Sequence, residues 1–62
     1  MYSAVVINSE TDPTRTYYLP MGVKDAEKEI VTALKTRGVY YRSTQTRTLT
    51  KQEYDIAVKH AH

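Results

Sequence analysis

No cysteine occurs in this chain of 62 residues, and that absence constrains its fold more than any motif does. A domain of this length buries only about 60% of the surface its unfolded chain exposes. Small domains commonly offset the shortfall with disulfides, a structural metal or a second copy of the chain. Composition excludes disulfides and thiolate zinc sites here. The remaining ligands are carboxylates and two histidines, His60 and His62. Residues two apart on a helix point about 200° away from each other, so these histidines do not share a metal. No metal and no cofactor is expected. Self-association is the remaining supplement, and a homodimer is expected on that ground.

The chain has no internal repeat or low-complexity linker and is expected to form one domain, 1–62. It has no run of about 18 apolar residues, so no transmembrane helix is expected. The apolar stretch 2–7 lacks a basic segment before it and is too short for a signal peptide. The expected compartment is the cytoplasm, with no membrane partner.

Five elements can be read along the sequence. Residues Tyr2–Asn8 are rich in β-branched side chains and apolar on both faces, the pattern of a strand covered on both sides. The cluster 9–14 is made of turn formers, with Asp12 before Pro13. Strand character resumes over Arg15–Leu19, which predicts a β-hairpin with a loop of about five or six residues. After the break at Pro20, Met21 and Gly22, the apolar residues Val23, Ala26, Ile30, Ala33 and Leu34 recur at helical spacing. Asp25, Glu27 and Glu29 lie towards the start of this helix. Lys35 and Arg37 lie in its last turn, an order that complements the helix dipole. Gly38 suits the left-handed residue that ends many helices.

Residues 39–49 read as strand, being β-branched, aromatic and threonine-rich without glycine or proline. That length exceeds the usual run of about five or six. A bend, a bulge or a hairpin near Thr44 and Gln45 is therefore an alternative. Thr50-Lys51-Gln52-Glu53 fits a capping box, with Leu49 and Tyr54 placed for the accompanying hydrophobic staple. Tyr54, Ala57, Val58 and Ala61 form an apolar stripe, so a helix is expected from 51 to the C-terminus.

The expected class is α+β: a small antiparallel sheet of about three strands, with two helices on one face, in the order β-β-α-β-α. Ile30, Leu34, Tyr54 and Val58 are expected in the core. Either Val5 with Ile7, or Ala4 with Val6, is expected to face it.

Catalysis has little to work with. None of Ser3, Ser9 and Ser43 sits in a nucleophile elbow. The only histidines lie in a terminal turn, where side chains are poorly held for acid–base work. Gly22 and Gly38 flank a helix and form no phosphate loop. The chain is not expected to be an enzyme.

Charge is more informative in its distribution than in its net value of +2. Between Glu29 and Glu53 there are five cations and no acid: Lys35, Arg37, Arg42, Arg47 and Lys51. With Tyr40 and Tyr41 interleaved, this segment suits phosphate contact and base stacking on nucleic acid. The simpler explanation of its arginines and threonines is a half-solvated strand, on which they suit the backbone and blunt edge pairing.

All six aromatic residues counted among Phe, Trp and Tyr are tyrosines. Tyr17-Tyr18 and Tyr40-Tyr41 are adjacent pairs, and strand alternation places one member of each outside. Tyrosine and arginine are enriched at interface hot spots. Tyr17, Tyr18, Tyr40, Tyr41, Arg15 and Arg42 are therefore the candidate protein-binding residues, although cross-strand pairing alone also accounts for such tyrosines. The leading expectation is a non-enzymatic protein-binding module, of the accessory or inhibitory kind that phages and mobile elements often encode. It would dock a Tyr/Arg-bearing sheet face or a strand edge on a larger protein or on itself. The alternative is a sequence-tolerant nucleic-acid binder using Lys35, Arg37, Arg42, Arg47 and Lys51.

Overall fold

A computed structural model describes residues 1–10 and 13–60. Asp12 of the expected turn, and Ala61 and His62 of the expected helix end, lie outside the described residues. The elements follow the expected order: β1 (Tyr2–Asn8), β2 (Arg15–Leu19), α1 (Val23–Thr36), β3 (Ser43–Leu49) and α2 (Lys51–His60). The strands form one antiparallel sheet in the order β2-β1-β3. The strand with the most continuous apolar pattern thus takes the centre, where both of its backbone edges are paired and both of its faces can be covered.

Register then assigns each side chain to a face. Val5 lies between Tyr17 of β2 and Thr46 of β3, and Ile7 between Arg15 and Thr44. Against this face α1 packs Ala26 and Leu34, which with Val5 and Ile7 form the buried cluster. Ile30, Leu19, Met21, Tyr17 and Tyr41 pack around it. Val5 and Ala26 are 0% exposed. The methyl side chain of Ala26 keeps that crossing close. Ser3 shares the α1 face and is buried, and its hydroxyl donates to the Met21 carbonyl at 2.5 Å. That bond satisfies two polar groups that would otherwise be costly to bury.

The class, the strand number and the element order are as expected, but the helices divide between the two faces of the sheet. Tyr2 and Ala4 alternate to the face opposite Val5, as do their partners Leu49 and Arg47. On that side Tyr54 of α2 meets Tyr2, ring centroids 4.6 Å apart and tilted by 37°. Ala4 and Leu49 are buried outside the α1 cluster. The physical reason lies in β1 itself. Val5/Ile7 and Ala4/Val6 are both apolar sets, so one helix leaves half of the strand's apolar surface in water. The second helix covers one end of that remaining half.

Both helix signals read from the sequence take their expected form. The Thr50 N–H donates to Glu53 Oε1 at 2.9 Å, and the Glu53 N–H donates to Thr50 Oγ1 at 3.1 Å. These are the reciprocal bonds of a capping box. The carboxyl pKa of Glu53 is lowered chiefly by the Thr50 N–H, then by the Thr50 side chain, with the positive charge of Arg47 contributing less. A lowered folded pKa gives stability that is complete above the ordinary glutamate pKa. It is lost as pH falls through the folded value. Glu53→Gln, which keeps an acceptor but does not titrate, is expected to remove this contribution to the acid dependence in urea titrations across pH. Thr50→Ala is expected to cost about 1 kcal/mol at neutral pH.

At the C-terminus of α1 the Gly38 N–H donates to the Lys35 carbonyl at 3.1 Å, and the Val39 N–H to the Leu34 carbonyl at 2.9 Å. Gly38 has φ +69°. This pairing with a left-handed residue is a Schellman motif. A Cβ added to Gly38 would meet nothing within 4 Å, so substitution there costs only backbone strain. Gly38→Ala is expected to destabilise the chain by about 1 kcal/mol in chemical denaturation.

Candidate docking surface at the Tyr40 end

The Schellman motif decides where the candidate residues lie. It carries Val39 back onto the helix end, so residues 39–42 do not join the sheet and β3 begins at Ser43. The long strand expected over 39–49 is thus shortened at its start, with no hairpin inside it. Its partner strand sets the limit. β1 ends at Asn8, which pairs with Ser43, and the Arg42 N–H makes a last bond to the Asn8 carbonyl at 2.7 Å.

Asn8 also holds the surrounding chain together. Its side-chain N–H donates to Ser43 Oγ at 3.2 Å, and its side-chain oxygen accepts a longer contact of 3.4 Å from the Thr14 hydroxyl. One side chain therefore ties the end of β1 to the start of β3 and to the segment leading into β2. On this frame Tyr41 turns inward against the core. Tyr40 turns outward and is 92% exposed. The expected in–out division of this pair holds, although a loop produces it instead of strand alternation.

Tyr40 borders three adjoining clefts. The first, about 170 Å³, is lined by Ile7, Leu34 and Val39 and by Arg15, Arg37 and Tyr17, among others. A second lies among Ser9, Glu10, Tyr41 and Arg42, and a third among Lys35, Gly38, Val39 and Tyr41. One exposed aromatic ring thus stands among four cationic residues and exposed Val39. Of the expected protein-binding set, Arg15, Tyr17, Tyr40, Tyr41 and Arg42 converge here. Tyr18 does not: it alternates to the α2 face and lines a different groove with Val6, Thr16 and Arg47.

The expected nucleic-acid set is divided. Lys35, Arg37 and Arg42 belong to the Tyr40 end. Arg47 pairs with Ala4 on the α2 face and Lys51 opens α2, beyond the other end of β3. The five cations therefore do not line one strand face. Thr44, Thr46 and Thr48 alternate to the α1 face of β3, an edge strand of the three-stranded sheet.

Sequence reasoning missed Val39 as part of this surface. The signal was present, because an apolar residue just after a helix-ending glycine commonly packs back on the last helical turn. Among the described residues no group of three or more His, Asp or Glu is placed to hold a metal ion, and no helix is long and apolar enough to cross a membrane. No family model, curated protein or solved structure matches the chain.

Proposed function

We propose that the chain is a non-enzymatic protein-binding module that docks its Tyr40 end onto a larger protein. The observation that carries this reading is the 92% exposure of Tyr40 on a surface that also gathers Arg15, Arg37 and Arg42. A tyrosine ring held in water gains nothing for the fold, whereas aromatic and arginine side chains supply most hot spots when a partner covers them. The cations around it are too few, and two of the expected five too distant, to favour a nucleic-acid track, which depends on many phosphate contacts.

The test is affinity capture from a native lysate with wild-type protein and with Tyr40→Ala, each with and without nuclease. The expected result is one stoichiometric protein that survives nuclease and moderate salt with wild type and is lost with the variant. A set of proteins that vanishes with nuclease would replace this reading with the nucleic-acid one. Recovery unchanged by Tyr40→Ala would remove Tyr40 as the docking centre.

A further inference from the structure

Of the three clefts that Tyr40 borders, the one lined by Ile7, Leu34, Val39, Arg15 and Arg37 is smaller than the sites that hold cofactors. Drug-sized ligands occupy about 300–1,000 Å³, against about 170 Å³ here. Its size suits one amino-acid side chain with its backbone. Its lining includes the aliphatic side chains of Ile7, Leu34 and Val39 together with two arginines, Arg15 and Arg37. Among the described residues no carboxylate pairs with either group. Arg15 is held by the ladder opposite Ile7, and Arg37 by the C-cap of α1, where its N–H donates to the Ala33 carbonyl. Their backbones are therefore fixed by different elements, and both residues line one small cleft.

A cleft lined by three aliphatic side chains and two arginines calls for a ligand with an apolar body and an anionic head. Guanidinium groups match carboxylates in shape and hydrogen-bonding geometry. The C-terminal end of α1 carries partial negative charge, about half an elementary charge, which two full positive charges outweigh. We propose that this cleft receives the C-terminal residue of a partner protein, its apolar side chain against Ile7, Leu34 and Val39 and its terminal carboxylate on Arg15 and Arg37. This rests on the docking reading above and supplies the chemistry of the partner. An internal aspartate or glutamate fits less well. It brings a carboxylate on a short stem and leaves Ile7, Leu34 and Val39 uncovered, so it forgoes the burial that a terminal aliphatic residue gains.

Three peptide probes test the proposal by NMR titration, read at the methyl groups of Ile7, Leu34 and Val39. They are N-acetylated Gly-Gly-Leu with a free carboxylate, the same peptide as its C-terminal amide, and N-acetylated Gly-Asp-Gly amide. The free acid is expected to shift these methyl signals and to bind at least about tenfold more tightly than the amide, since charge-assisted hydrogen bonds to the carboxylate are lost in the amide. Arg37→Gln and Arg15→Gln are each expected to weaken the acid by about tenfold and to leave the amide unchanged. The dispersed spectrum of each variant shows that it is folded. Equal binding of acid and amide would overturn the proposal, as would tighter binding of the aspartate peptide or absence of shifts at these methyl groups. If the peptides fail while capture still depends on Tyr40, the docking reading stands and the terminal-carboxylate reading falls. If capture is independent of Tyr40 while the acid binds, the cleft is a carboxylate site separate from the docking surface.

Discussion

Leu34→Ala is expected to cost about 2–5 kcal/mol, a large share of all the stability this chain has. Domains hold roughly 0.05–0.15 kcal/mol per residue, which gives about 3–9 kcal/mol for a chain of this length. Leu34 is 7% exposed and belongs to the four-residue cluster under α1. Its backbone carbonyl also receives the Val39 N–H that closes the helix, so core packing and helix termination meet at one residue. Truncation removes transfer free energy and leaves a void. The void opens partly on the Tyr40 cleft, which Leu34 also lines. Water can enter there, so the lower half of the range is expected. The measurement is urea unfolding followed by circular dichroism, with Ile56→Ala as the comparison. Ile56 is 51% exposed, and its truncation should stay within about 0.5 kcal/mol. Equal midpoints for the two variants would show that α1 does not organise the core through Leu34.

The features legible in the sequence are those set by a few neighbouring residues. The capping box needs only Thr50 and Glu53, and both of its bonds form. The helix stop needs only Gly38, which adopts the expected positive φ. The central place of β1 follows from an apolar pattern on both faces. What could not be read depended on distant partners. The start of β3 is set by where β1 runs out, at Asn8, and the composition of residues 39–42 suits a strand as well as a loop. The face taken by α2 depended on which half of β1 was left uncovered, and the single residue Thr50 between β3 and α2 does not choose a side. At the candidate surface, the inward and outward tyrosines of 40–41 were legible as a pair with divided roles. The gathering of Arg15 with Arg37 was not, because residues 22 positions apart meet only once the sheet and α1 close on each other.

Tyr40→Ala is expected to separate binding from folding. The side chain is 92% exposed, so its removal should leave the unfolding midpoint within about 0.5 kcal/mol of wild type. Affinity for the captured partner is expected to fall by about 2 kcal/mol or more, roughly 30-fold, because a tyrosine that is dispensable to the fold and central to an interface is a hot spot. Tyr41→Ala serves as the contrast. Tyr41 packs against the core cluster, so its loss should lower stability and disturb the neighbouring loop, weakening binding only as a consequence. Tyr18→Ala, on the α2 face, should leave the partner bound. Titration calorimetry for affinity and denaturation for stability together give each variant two coordinates. Tyr40→Ala is expected to move along the affinity axis alone and Tyr41→Ala along both. If Tyr18→Ala moves along the affinity axis and Tyr40→Ala does not, the docking surface lies on the opposite face of the sheet, in the groove beside α2. Salt supplies an independent check. An interface centred on one aromatic ring with a few arginines should lose little affinity as ionic strength rises, whereas a site built on phosphate contacts loses it steeply. A steep salt slope together with full dependence on Tyr40 would mark the ring as a base-stacking platform, because only a polyanionic partner combines those two responses.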